Sequence, residues 1–146
     1  MKFSLFLNEN REEEVIVYAH NESEVTQRLR EIAEREENNQ KIIGYSRGEI
    51  TVIEPSEVFC FFLERGQLIA LLEKQRVQIK KRLYEIEALL PSNFIKINQS
   101  SIANINKIER FGVSIGASMT VLFKNGYRDY VSRRQTRKIK ERLGIK

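Results

Sequence analysis

The residues best suited to chemistry lie near the C-terminus. Ser132 to Leu143 places six cations and one acid in twelve residues. At 100° per residue, Thr136, Ile139 and Leu143 share one narrow stripe. Arg134, Arg137 and Lys138 point away from it, and Arg133 and Lys140 flank it. The stripe can dock a helix while five cations face outward. Ser132 is placed as an N-cap, with Gln135 in the reciprocal capping position. The free N–H groups at that end favour a phosphate oxygen. Such a surface suits a duplex backbone, with one or two arginines reaching base edges, because the guanidinium fork matches guanine O6 and N7. An ordinary solvated amphipathic helix has the same layout, and the helix dipole favours cations near a C-terminus. Arg133 and Arg134 sit at the opposite end, where the dipole disfavours them, and this points to function.

A second candidate is Lys96-Ile97-Asn98-Gln99-Ser100-Ser101. One cation, two amides and two hydroxyls occupy six residues. Amides pair bidentately with adenine, and hydroxyls reach phosphates. The same residues also suit a polar turn that satisfies its own backbone. A third candidate is the hairpin tip Arg65-Gly66-Gln67, which offers a single cation.

Charge distribution supports the first two. The net charge is +5. Residues 1–57 carry seven Lys/Arg against thirteen Glu, a net of −6, and residues 58–146 carry a net of +11. An acidic front and a basic back point to a polyanionic partner at the C-terminal part. Other chemistry is poorly served. There is one histidine, His20, one cysteine, Cys60, and one aspartate, Asp129, among nineteen glutamates. That excludes an internal disulfide, a Cys/His zinc site and a calcium loop. Cys60 lies between Phe59 and Phe61 and reads as a buried hydrophobe. No acid, base and nucleophile assemble, so no enzyme, metal or cofactor is expected. The longest apolar run, Val58 to Leu63, is far short of the roughly 20 residues of a membrane helix. No targeting segment is visible, and a cytoplasmic protein is expected.

The elements follow from periodicity. Lys2–Asn8 and Glu14–Ala19 alternate and predict two strands. Asn21 and Glu24 then predict a capping box, with Val25, Leu29, Ile32 and Ala33 at helical spacing. Strands are predicted over 41–46, 49–53, 58–63, 68–72 and 76–80, then a short helix stopped by Pro91. Phe94–Ile97 predicts a strand, residues 98–104 a polar loop, and 105–111 another strand. Asn125-Gly126 between Met119–Phe123 and Tyr127–Val131 predicts a hairpin. The terminal helix follows and ends at Gly144.

Four segments carry a family pattern: Val58 to Glu64; Phe94 to Asn104; Ile105 to Ile108; and Lys124-Asn125-Gly126 through Ser132-Arg133-Arg134. Together they give Phe-x-Lys-x-x-x-Ser-x-x-x-Asn-x-x-x-Ile, then a hairpin and Ser-Arg-Arg. Over residues 50–146 this resembles a LytTR DNA-binding domain. Residues 1–49 resemble the short ββα extension of stand-alone members. The resemblance implies an α+β fold: a mainly β domain of small antiparallel sheets with short helices, preceded by that ββα element. It implies a bacterial transcription regulator that reads paired promoter sites on double-stranded DNA through loops. The residues it points to are Arg65 and Gln67 at the hairpin tip, Lys96, Asn98, Gln99 and Ser100 in the middle loop, and Arg133 and Arg134 before the terminal helix. Ser132, Arg137 and Lys138 complete the basic surface. Asn104 is implied to be structural. Many relatives have His or Lys before an Asn or Ser in the middle loop, where this chain has Asn98-Gln99, which leaves the cognate sequence open. No receiver domain is expected, so control falls to abundance, a protein regulator or oligomerisation, with a homodimer through residues 1–49 as one option. The alternative is a non-enzymatic module whose basic face binds RNA or an acidic protein.

Overall fold

The computed structural model describes residues 2–37, 41–113 and 118–144. The chain divides into two compact units, residues 1–37 and 38–146. In the first, helix α1 spans Glu24–Glu37. Its cap is not the Asn21–Glu24 pair. The Thr26 N–H donates to the Ser23 hydroxyl at 3.4 Å, and the Ser23 N–H donates to Thr26 Oγ1 at 2.8 Å. This reciprocal cap lies two residues later than the sequence pattern suggests. The two expected strands are also absent from residues 2–23. Phe3, Leu5, Leu7, Val15 and Val17 alternate but remain exposed. Alternation yields a strand only where one face finds something to pack on.

Among its described residues, the second unit holds ten strands and two α-helices. They are β1 (Ile42–Ser46), β2 (Glu49–Ile53), β3 (Cys60–Glu64), β4 (Gln67–Leu71), β5 (Arg76–Ile79), α2 (Leu83–Leu89), β6 (Phe94–Asn98), β7 (Ser101–Asn104), β8 (Ile108–Val113), β9 (Met119–Phe123), β10 (Arg128–Val131) and α3 (Arg133–Leu143). Seven strands form one sheet in the order β2-β1-β5-β4-β3-β7-β6, and three form another in the order β10-β9-β8. All pairings are antiparallel. The architecture is thus α+β, with short helices on mainly antiparallel sheets, as the sequence implies. The β1–β2 hairpin runs through residue 49, where the sequence reading divides the chain, and belongs to the large sheet.

Two apolar cores sit on opposite faces of the large sheet. Phe61, Leu68, Val77 and Ile102 pack with Leu83 and Ile86 of α2 on one face. Cys60, Phe62, Ile97 and Ala103 pack with Val121, Phe123, Val131 and Ile139 on the other. Successive β3 residues therefore enter different cores, which explains the unbroken apolar run from Val58 to Leu63. Ile139 docks α3, whereas Leu143, expected on the same stripe, is exposed.

Residues 98–104 depart most from the expected polar loop. The loop shrinks to Gln99-Ser100, and Ser101–Asn104 is a buried strand. Its polar side chains are satisfied internally. The Asn104 amide donates to the Val58 carbonyl at 2.9 Å, and its oxygen accepts from Asn93 at 2.8 Å and from the Asn106 N–H at 3.0 Å. The last bond caps a 3₁₀ turn over Ile105–Lys107, so the following strand starts at Ile108 rather than Ile105.

Candidate nucleic-acid interface

Three segments far apart in sequence meet at the C-terminal end of β6. The first is the β3–β4 hairpin. Arg65 and Gly66 form its two-residue turn with φ of 51° and 75°. Both central residues of a type I′ turn need positive φ, a rare state for arginine. The turn thrusts Arg65 into solvent beside exposed Gln67. The second segment is Gln99-Ser100 between β6 and β7. It is tied to the first because the Leu63 N–H donates to the Ser100 carbonyl at 2.9 Å. The third is the start of α3. The Ser132 N–H donates to the Ile97 carbonyl at 2.9 Å, which fixes the helix origin to β6.

Asn98 organises this junction and does not face outward. It is 1 % exposed. Its amide donates to the Tyr130 carbonyl at 2.9 Å and to Asp129 Oδ1 at 3.3 Å, while its oxygen accepts from the Ser100 N–H at 2.9 Å. Its donor and acceptor are both engaged inside the protein, so the structure places Asn98 beneath the candidate surface rather than on it. Asp129, the only aspartate, completes the network. Its Oδ2 accepts from the Ser101 hydroxyl at 2.7 Å and its Oδ1 from the Tyr130 N–H at 2.8 Å. Sequence reading missed it, because its partners lie 28 and 31 positions away.

The remaining candidates fall on the surface of the same unit. Gln99, Arg133, Arg134, Arg137 and Lys138 are exposed, while Lys96 and Ser100 are half-buried. Ser132 caps α3 through its hydroxyl, which accepts from the Gln135 N–H at 3.3 Å. Among the described residues, Arg65, Arg133, Arg134 and Lys138 form no ion pair, and Arg137 reaches Glu141 only at 3.5 Å on an exposed surface. Unpaired cations need break no ion pair to contact a phosphate, and pay only for ordering their side chains. A further cationic group was not foreseen. Lys80, Lys81 and Arg82 line a recess of about 340 Å³ with Gly66 and Gln67, beside the hairpin tip. Lys80 sits 4.1 Å over the Tyr45 ring, and Lys81 and Arg82 are exposed. The signal was available as three consecutive cations after β5.

Cys60 is walled into the core, and burial, aided by the Asp129 charge, pushes its thiol far up. A thiol held neutral is no nucleophile. Among the described residues, no helix is long and apolar enough to cross a membrane.

Residues 48–144 match the LytTr DNA-binding domain, two thirds of the chain. The chain belongs to the LytTR DNA-binding domain family. Proteins of Staphylococcus aureus strains NCTC 8325 / PS 47 and COL, each named an uncharacterized HTH-type transcriptional regulator, are 32% identical over 146 residues and 99% of both chains. A solved LytTr DNA-binding domain from Bacillus cereus has the same fold, with a TM-score of 0.68 and 23% identity, covering 72% of this chain and 97% of that one. In this LytTR chain the described helices are separated from one another by strands. Among the described residues no two helices are consecutive elements, as a helix-turn-helix requires.

Proposed function

We propose that this LytTR protein is a sequence-specific transcription regulator of promoter DNA, acting in the cytoplasm. The observation that carries the reading is the convergence of three solvent-facing elements, held by the Leu63–Ser100 and Ile97–Ser132 backbone bonds. Gln99 and Arg134 are the base-reading side chains. An amide and a guanidinium fork suit adenine and guanine edges. Arg65 and Gln67 approach the same duplex from the hairpin. Arg133, Arg137 and Lys138, with Lys96, Lys81 and Arg82, serve the phosphates, and Ser100 and the α3 N-terminus add neutral donors. Residues 1–37, rich in glutamate, stay off the DNA, because their charge repels phosphate.

The test is selection of bound duplexes from a random pool, followed by competition. Enrichment of one sequence, with binding that falls steeply in salt, is expected. Equal or tighter binding of structured RNA, or capture of an acidic protein without any enriched duplex, overturns the proposal in favour of another polyanion.

A further inference from the structure

The large sheet has two edges. β6 carries the candidate interface and packs against α3. β2 is bare. Ile50 is 70% exposed and Val52 is 55% exposed, with exposed Ile43 on the neighbouring strand. Natural edge strands are usually blunted by lysine, proline, a bulge or a short length. β2, Glu49-Ile50-Thr51-Val52-Ile53, has no such guard. Its register with β1 is unbroken over five pairs, and its only charge stands at its start.

The hairpin turn fixes which backbone groups are free. Arg47 and Gly48 have φ of 49° and 77°, again a two-residue turn of the I′ kind. Ser46 and Glu49 flank it as the first hydrogen-bonded pair. Such pairs alternate along an antiparallel ladder, so Gly44–Thr51 and Ile42–Ile53 follow. The intervening residues, Ile50 and Val52, therefore turn their N–H and C=O groups away from β1 toward the open side.

We infer that this edge pairs with β2 of a second copy, antiparallel, about a two-fold axis through Thr51. In that register Ile50 faces the partner's Val52, and Val52 faces the partner's Ile50. Each pair exchanges two N–H···O=C bonds, because both residues present their backbone groups outward. The apolar side chains also become continuous: exposed Ile43 and Val52 of one copy lead into exposed Ile50 and half-buried Tyr45 of the partner. Glu54 falls opposite the partner's Gly48, next to the partner's Arg47. A strand that complements itself in hydrogen bonding, apolar pairing and charge meets the requirement of an isologous contact. It favours a second copy over an unrelated strand. β6 lies six strand spacings from β2, about 29 Å at ~4.8 Å each, and β5 two spacings, about 10 Å, so the β6 and α3 elements of the candidate DNA face stay clear of the contact while Lys81 and Arg82 lie nearer to it. The contact is independent of the DNA-binding proposal.

Sedimentation equilibrium of the full chain, from about 1 to about 200 µM, tests it. The wild type is expected to move from the mass of one chain to that of two. Ile50→Lys/Val52→Lys places like charges opposite each other and should raise the dimer Kd on the order of a hundredfold, with unchanged circular dichroism. Ile50→Lys/Val52→Glu places opposite charges in both facing pairs and should restore much of the dimer in a salt-sensitive way. A wild type that stays monomeric, a dimer indifferent to the double lysine variant, or loss of dimer in both variants would overturn the inference.

Discussion

Asp129→Ala separates positioning from charge at the candidate interface. The side chain accepts from the buried Ser101 hydroxyl, from Asn98 and from the Tyr130 N–H. Asn98 keeps its bond to the Tyr130 carbonyl, and the Tyr130 amide can rehydrate. The net loss is therefore chiefly the Ser101 bond plus part of the Asn98 bond. Hydrogen bonds to a charged acceptor contribute about 1.5–3 kcal/mol, and the partly exposed site reduces this, so stability should fall by about 2 kcal/mol. For a unit of this size that lowers Tm by roughly 8–15 °C. The effect on DNA discriminates between two accounts. Removing a negative charge beside a phosphate-binding face should by itself tighten binding. Loosening the Gln99-Ser100 turn from the α3 origin should instead weaken specific binding, on the order of tenfold for one lost base contact. Urea unfolding and fluorescence anisotropy on the enriched duplex measure both. Asp129→Asn, which retains one acceptor, should fall between. Unchanged stability with tighter DNA binding would refute the positioning role.

Arg65→Asn should raise stability by about 1 kcal/mol in urea unfolding, since asparagine tolerates positive φ, yet weaken DNA binding through loss of the cation. Lys81→Ala and Arg82→Ala should each weaken binding about equally on all sequences and lower the slope of log K against log salt by about 0.9 per lost phosphate contact. Stability should decline above pH 9 in denaturant titrations. Burial and the Asp129 charge hold the Cys60 thiol and the Tyr127 phenol above their ordinary values of 9.0 and 10.0. Above those values the unfolded chain releases protons that the folded chain retains. For Cys60 this costs about 1.4 kcal/mol per pH unit beyond 9, and Cys60→Ala should flatten the decline.

Local signals carried much of the fold. The Asn125-Gly126 turn, the Ser132 cap and the left-handed Gly144 each act within a few residues, and all three appear in the structure. The buried β3 run is equally plain, because both faces of the strand are covered. Sequence reading fails where distant partners decide. Asn98, Ser101 and Asn104 look like an exposed polar loop, but Tyr130, Asp129 and Val58 satisfy them at long range. The alternation at Phe3–Leu7 and Val15–Val17 is a true pattern without a face to bury in this unit. The recess formed by Gly66 and the Lys80–Arg82 run required the β4–β5 register, which no periodicity reveals.

The central claim is that Gln99 and Arg134 read bases while the surrounding cations only hold phosphate. The ratio of affinity for the enriched duplex to that for random DNA, measured at one salt concentration, tests it most directly. Gln99→Ala and Arg134→Ala should each reduce the ratio by about 1–3 kcal/mol, whereas Arg137→Ala should weaken both affinities alike and leave it unchanged. A ratio that is indifferent to Gln99 and Arg134, or that falls only with Arg137, would contradict the account.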